Sequence, residues 1–191
     1  FISADIPKIL ALDPDLVLAF SDLQADIVAD LVRAGVAVHV FNQRDVAGIL
    51  AMIRSLGAMV GAADRGERLA QGLEQRLAKI AATPRPTPRP KVYFEEWDEP
   101  LISGIGWVSE LIEIAGGEDA LPHLRAHKAA RDRIVSADAV RAAMPDVILA
   151  SWCGKKVVVD RIRARGGWSD IPAVRNDRIV EIKSPDRKSV V

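Results

Sequence analysis

The sequence predicts an α/β protein with two lobes, each built on a parallel sheet, joined by one long helix. Short apolar runs of strand length alternate with amphipathic stretches of helical spacing on both sides of a central segment, as in parallel βαβ units. That central segment, 62–90, combines a polar helical stretch with a proline-rich stop. We therefore expect an N-terminal lobe over 1–61, a lobe-spanning helix and linker over 62–90, and a C-terminal lobe over 91–191, with both lobes incomplete.

The central segment begins with a stretch rich in helix-forming residues, 62–82. Its apolar residues recur at helical spacing and form one narrow stripe, which leaves the rest of the surface to water. A helix of this length spans roughly 30 Å at ~1.5 Å per residue. The prolines of 83–90 (TPRPTPRP) end it, because proline lacks an amide donor and restricts the residue before it.

The N-terminal side is typical of two successive strand–helix units. The run DLVLAF is continuously apolar, as expected for a strand that is covered on both faces. Ser21 and Asp22 offer capping oxygens for the helix that follows, and Gly35 ends it. We predict helices over 5–12, 24–34 and 46–60, and strands over 15–20 and 36–41.

The C-terminal side repeats this scheme. The order of helix, Pro-Asp turn, apolar strand and polar loop over 3–21 recurs over 136–151, which favours two lobes of related architecture. We predict strands over 91–95, 147–151 and 178–182, and helices over 107–115, 137–143 and 155–164.

Composition excludes several function classes. Lys+Arg and Asp+Glu number 26 each and the pI is near 7.0, so no global positive field attracts nucleic acid or an anionic membrane. No apolar run approaches the ~20 residues of a membrane span. The lone Cys153 cannot form an internal disulfide.

Ligands of open parallel sheets gather beyond the carboxyl ends of the strands. Three predicted strands end there in aromatic, acidic or hydroxyl residues, and three of the four tryptophans lie on loops at this edge. Tryptophan rings suit a flat, partly apolar ligand because they bring a large contact area at low entropic cost. The candidate ligand-binding residues at this edge are Phe20, Ser21, Asp22, Glu96, Trp97, Asp98, Ser103, Trp107 and Trp152.

The stretch from Tyr93 to Asp119 (YFEEWDEPLISGIGWVSELIEIAGGED), together with the strands PDLVLA and PDVILA, resembles bacterial cobalamin-binding proteins. These are periplasmic substrate-binding proteins of ABC importers, in the helical-backbone class (class III periplasmic-binding-protein fold). The resemblance implies that the chain captures cobalamin or a related corrinoid in the inter-lobe cleft and delivers it to the permease, without catalysing a reaction. Relatives of this class carry iron-siderophores, haem or metal ions, and an iron-siderophore or haem carrier is the alternative.

The resemblance also implies roles for particular residues. Aromatic pocket positions of the family fall on Phe1 and Phe20, and its ligand loop falls on 96–103. A further aromatic pocket position, which bears a tryptophan in the family, falls on Asp132, so Trp97 and Trp152 would supply the missing face.

Each lobe in the family shows one acidic residue to arginines of the permease. In the second lobe that position is Asp138; in the first it is Pro7, with Asp5 as the nearest acidic substitute. The resemblance further implies a monomer, located in the periplasm or lipid-anchored at the cell envelope. The tail over 186–191 (DRKSVV) matches neither the sheet pattern nor the family.

Competing motifs are weaker. Gly104-Ile105-Gly106 before a helix lacks the third glycine and the lysine of a phosphate loop. His123 and His127 are surrounded by basic residues, which favours a solvated loop over a metal site. The acidic loop 95–99 offers carboxylates for an α/β enzyme, but their adjacency gives no controlled separation. We expect no metal, no cofactor and no nucleic-acid partner.

Overall fold

The computed structural model describes residues 3–183, so Phe1 and the tail over 186–191 lie outside the described residues. The chain forms two compact units, Phe1–Gln43 and Arg44–Val191. The helices are α1 (Ile6–Leu10), α2 (Ala25–Arg33), α3 (Val46–Met59), α4 (Ala63–Ala81), α5 (Gly106–Ile114), α6 (Ala137–Ala143), α7 (Val159–Arg163) and α8 (Pro172–Arg175). The strands are β1 (Val17–Phe20), β2 (Val38–Phe41), β3 (Lys91–Asp98), β4 (Leu101–Ser103), β5 (Glu118–Asp119), β6 (Val147–Ala150) and β7 (Ile179–Glu181).

The first unit contains a two-stranded parallel sheet, β1 beside β2. Helix α2 packs against β2 and buries Leu31. Asp5 caps the N-terminus of helix α1, because its carboxylate accepts a hydrogen bond from the Lys8 amide at 3.1 Å. The strand–helix alternation predicted for this part of the chain is confirmed.

The second unit is built on a mixed sheet in the order β4-β3-β6-β7, with β5 beside the first residues of β3. Strand β3 is parallel to β5 and β6 and antiparallel to β4, and β7 is parallel to β6. Alternate residues of β3 face opposite cores. Tyr93 faces a core that includes Trp168, while Phe94 packs with Val108 and Ile112 of α5.

Two predicted elements of this unit differ from the structure at one boundary each. Strand β3 continues to Asp98 instead of ending at Glu95, because β4 folds back as an antiparallel partner. The expected acidic loop 95–99 is therefore the end of a strand and the start of a tight turn. Helix α7 begins at Val159 instead of residue 155, because Val157 is buried and its amide donates to Glu181 at 3.1 Å.

Helix α4 confirms the long helix predicted over 62–82, and it packs against α3 and α5 within the second unit. Residues 44–61, assigned from sequence to the N-terminal lobe, thus share a compact unit with the residues that follow them. The division into lobes at 61 and 90 stays a prediction. None of the helices in the described part of the chain combines the length and apolarity needed to cross a membrane.

Helices α3 and α4 approach each other at two glycines, Gly57 and Gly66, and at a charged group beside them. Arg54 donates to Glu67 at 2.8 Å and to Glu74 at 3.0 Å. The hydrogen bond from Arg54 lowers the pKa of the Glu67 carboxyl. The pair of helices is therefore held by a close backbone contact and by ion pairs beside it.

We expect Gly66→Ala to destabilise the chain by ~1–3 kcal/mol through overpacking. A Cβ at this position would lie 2.9 Å from the Ile53 carbonyl oxygen and 3.2 Å from the Gly57 Cα, both of which are backbone atoms. The matched control is Gly72→Ala on the same helix, where nothing lies within 4 Å and alanine should stabilise by ~0.5–1 kcal/mol. Urea unfolding of the two variants measures the difference, and a Gly66→Ala protein as stable as Gly72→Ala would contradict the close contact.

Candidate functional site

The carboxyl ends of β3 and β6 lie side by side, with Glu95 paired in register with Ala150. Trp97 and Asp98 complete β3 beyond this point, and Trp152 follows β6. The segment before α7 brings Lys155 to the same edge, and α7 itself brings Arg161. We call the group formed by Trp97, Asp98, Trp152, Lys155 and Arg161 the tryptophan–cation cluster.

Lys155 lies between the two indole rings of the cluster. Its Nζ is 4.2 Å from the centroid of the Trp97 ring and 5.1 Å from that of Trp152. The Arg161 guanidinium carbon is 5.9 Å from the Trp152 ring. These distances are those of cation–π contacts, which hold both cations beside aromatic surface.

Asp98 is the anion that fixes the two cations. Its side chain is 3% exposed, with Oδ1 2.5 Å from the Lys155 Nζ and Oδ2 3.3 Å from an Arg161 guanidinium nitrogen. Glu99 also approaches Arg161, at 3.9 Å, but its side chain is 85% exposed. One buried carboxylate thus orders two partly exposed cations.

Beneath the cluster, Glu95 is fully buried and forms a bidentate ion pair with Arg165 at 2.5 and 2.9 Å. The Trp152 Nε1 donates to the same carboxylate at 2.9 Å. The Arg165 guanidinium also stacks 4.6 Å from the centroid of the Trp168 ring. Burial, followed by the negative charge of Glu95, raises the pKa of the Tyr93 phenol well above its usual value, so this hydroxyl stays neutral.

A second buried cation holds the neighbouring acidic residue. Arg133, whose side chain is 2% exposed, donates to Glu96 at 2.8 Å and also to the Ser103 carbonyl oxygen. The family resemblance implies a pocket position at the adjacent Asp132, but the buried side chain is that of Arg133. Four cations were missed from the sequence: Arg133, Lys155, Arg161 and Arg165. The only signal for them was the acidic run itself, which needs compensating charge wherever it is buried.

Trp107 lies apart from the cluster. It stands in the first turn of α5 and packs against the core of α3 and α4 and against the Phe94 face of the sheet. There it borders an apolar pocket of about 150 Å³ that Leu111, Leu149 and Ile182 also line. The expectation of three tryptophans on loops at one edge is therefore wrong: Trp97 belongs to a strand and Trp107 to a helix.

The remaining predicted ligand residues differ in exposure. Trp152 and Ser103 are buried, so their side chains support the edge from within. In the first unit Phe20 is exposed, as is Asp22, while Ser21 is buried and its hydroxyl accepts from the Leu23 amide at 3.3 Å. Phe1 lies outside the described residues. A ligand contact by any of these residues stays a prediction.

The two predicted docking carboxylates have distinct local roles. Asp138 lies in the first turn of α6 with its side chain 83% exposed and 3.1 Å from Arg141. The cap of that helix is Ser136, whose hydroxyl accepts from the Ala139 amide at 3.1 Å, so Asp138 does not cap it. Asp5, by contrast, caps α1 and pairs with Lys8 at 3.2 Å.

Within residues 3–183, no three His, Cys, Asp or Glu side chains are arranged to hold a metal ion. His39 makes an edge contact with the Phe41 ring, with centroids 4.4 Å apart. Cys153 is an exposed free thiol next to Trp152. The described chemistry of the edge is therefore aromatic and ionic.

Comparisons with known proteins agree with this fold. The family described as periplasmic binding protein matches residues 3–185. The uncharacterized ABC transporter substrate-binding lipoprotein YvrC of Bacillus subtilis (strain 168) is 25% identical over 198 residues, covering 96% of this chain and 59% of the relative. The chain thus spans about three fifths of the length of that curated relative.

Two solved structures illustrate the likeness. The periplasmic heme-binding protein RhuT from Roseiflexus sp. RS-1, in apo form, matches with a TM-score of 0.78 at 26% identity, over 95% of this chain and 71% of that chain. The periplasmic vitamin B12 binding protein BtuF of Vibrio cholerae matches with a TM-score of 0.69 at 20% identity, over 94% and 69%. The fold expected from sequence, that of the helical-backbone class, is confirmed.

We expect Arg165→Met to destabilise the chain by ~3–5 kcal/mol, because it leaves the Glu95 carboxylate buried without a cation. The double variant Glu95→Gln with Arg165→Met should recover much of this loss, since the amide oxygen still accepts from Trp152. Arg163→Met is the matched control, because Arg163 pairs with Asp160 and Asp177, whose side chains are highly exposed, and such pairs contribute little. The free energy of unfolding in urea measures all three. A loss in Arg165→Met no larger than that in Arg163→Met would contradict the role assigned to the buried pair.

Proposed function

Because the chain belongs to the periplasmic binding protein family, we propose that it is the substrate-binding component of an ABC importer. Its partners are then a small-molecule ligand and the importer permease, and its task is capture and delivery without turnover. The matching relative described as an ABC transporter substrate-binding lipoprotein supports this proposal. That relative also supports a place in the periplasm or a lipid anchor at the cell envelope. The same proposal includes a monomeric protein and a lobe-spanning role for 62–90.

For the ligand, we propose cobalamin or a related corrinoid. The observation that carries this choice is the tryptophan–cation cluster, where the Lys155 ammonium lies over the partly exposed Trp97 ring and the Arg161 guanidinium lies near the Trp152 ring. A macrocycle with an apolar body and polar substituents fits such a surface of aromatic rings and cations. The likeness to the vitamin B12 binding protein adds support at the level of fold.

A haem carrier is the second candidate. The heme-binding protein RhuT is the more similar of the two solved structures compared above, at 26% against 20% identity. Haem shares with corrinoids the flat macrocycle and the charged or polar rim, so the same cluster suits both. An iron-siderophore carrier remains an alternative within the same class.

The enzyme alternative loses its support. Glu95 binds Arg165, Glu96 binds Arg133, and Asp98 binds two cations. General acid–base catalysis needs a carboxyl whose proton exchange is matched to the reaction, positioned at a substrate. Ion-paired carboxylates with little exposure suit a structural task better.

We expect cyanocobalamin to quench the tryptophan fluorescence of the 191-residue chain saturably, because the corrin absorbs strongly and would lie beside Trp97. Trp97→Leu should weaken binding by about tenfold through the loss of aromatic contact area. Titration of the same ligand into N-acetyltryptophanamide corrects for absorption of the exciting light.

Tight binding of haem or a ferric siderophore, with no saturable effect of cobalamin or cobinamide, would move the assignment to that candidate. Failure of all these ligands to bind would contradict the proposed ligand classes together.

For the permease, we propose that Asp138 pairs with an arginine of the transporter and that Asp5 contributes less. Asp138 does not cap α6, and its side chain stays 83% exposed although it pairs with Arg141, whereas the Asp5 carboxylate caps α1 and pairs with Lys8. A desolvated charge pair of this kind couples by ~1.5 kcal/mol or more.

Asp138→Asn should therefore weaken binding to the permease by about tenfold while ligand affinity stays unchanged. Asp160→Asn is the matched control, since Asp160 also lies in a first helical turn and pairs with an arginine three residues later. Binding to permease in proteoliposomes, with and without each substitution, measures the effect. Equal behaviour of the two variants would end the docking proposal for Asp138.

A further inference from the structure

We propose that Lys155 and Arg161 bind an anionic substituent, carboxylate or phosphate, of a ligand that docks beside Trp97. This inference rests on the proposed function and adds the chemical class of the group that is recognised. The residues on which it rests belong to the second unit and lie within the described range 3–183.

The charges of the cluster leave room for an incoming anion. Lys155 and Arg161 share the single buried carboxylate of Asp98, so these three residues carry a net charge of +1. The cations remain 39% and 57% exposed, whereas Asp98 is 3% exposed. The positive charge is therefore presented outward and its counter-anion inward.

The cations are also ordered before any ligand arrives. The Lys155 ammonium is held by Asp98 and lies beside both indole rings, and the Arg161 guanidinium is held by the second oxygen of Asp98. A long side chain that is already confined loses less entropy on binding than a free one. Surface lysines that only decorate a helix lack this arrangement.

One hydrogen bond ties the Trp97 ring to the turn that carries Glu99. The Trp97 Nε1 donates to the Glu99 carbonyl oxygen at 2.9 Å, which fixes the ring relative to the turn between β3 and β4. The Glu99 carboxylate is 3.9 Å from Arg161 and highly exposed, so it is the group that a ligand anion would displace. Glu99 thus competes weakly for the same cation.

Known macrocycles differ in whether they carry an anionic substituent. Cyanocobalamin carries an anionic phosphodiester and haem carries two propionate carboxylates, whereas dicyanocobinamide has a corrin ring without a phosphodiester. The proposal therefore distinguishes recognition of the rim charge from recognition of the ring. Carboxylate and phosphate sources are distinguished by comparing haem with cyanocobalamin.

The test is equilibrium dialysis of the three ligands, read from ligand absorbance, against wild type and single variants. We expect Lys155→Met and Arg161→Met each to weaken the binding of cyanocobalamin, haem or both by about tenfold, with dicyanocobinamide changed by less than about twofold. Lys155→Arg should retain affinity, and Glu99→Gln should tighten binding of the anionic ligands. Single variants are used because removing both cations would leave Asp98 buried and unpaired. Lys156→Met, at a neighbouring exposed lysine, controls for a general change of net charge.

Equal weakening for all three ligands would overturn the inference, since Lys155 and Arg161 would then only position the ring. No weakening, or weakening matched by Lys156→Met, would overturn it as well. If wild type binds none of the three ligands, the proposed ligand class fails together with the inference. Binding of all three without discrimination by the variants leaves the ligand class standing and removes only the anion site.

Discussion

The fully buried carboxylate of Glu95 is the constraint on which the candidate site depends. An uncompensated charge in a core is costly, so the chain must bring partners to it. It does so from two distant places, with Arg165 after α7 and the Trp152 indole after β6. The segment between those partners carries Lys155 and Arg161, and its path over the sheet edge is fixed at both ends by one carboxylate.

The same division of charge recurs along the edge. Strand β3 supplies the anions Glu95, Glu96 and Asp98, and more distant segments supply the cations that meet them. Buried ion pairs contribute little net stability compared with apolar packing, but they penalise wrong pairings strongly. We therefore interpret the acidic end of β3 as a constraint that determines where the later cation-bearing segments pack.

The elements that sequence predicted well have strong local signals. Helix α4 has one apolar stripe and a proline stop, and β6 is a continuous apolar run. The end of β3 was missed because charged residues indicate a loop unless distant cations compensate them. The proximity of Trp97 and Trp152 followed from the rule for strand ends, since β3 and β6 are neighbours. Their cationic partners did not, because a pair separated by tens of residues leaves no periodic trace in the sequence.

The separation of Glu95 from Arg165 is 70 residues, and this has a consequence for biosynthesis. At about 5–20 residues per second, the ribosome adds Arg165 roughly 4–14 s after Glu95. Until Arg165 is added, Glu95 lacks the cation that pairs with it in the folded unit. Burying its charge alone would be costly, so we expect the end of β3 to stay hydrated during that interval. We therefore expect the sheet edge, with its tryptophan–cation cluster, to be among the last parts of this unit to fold. Such late closure is typical of contacts between residues far apart in sequence.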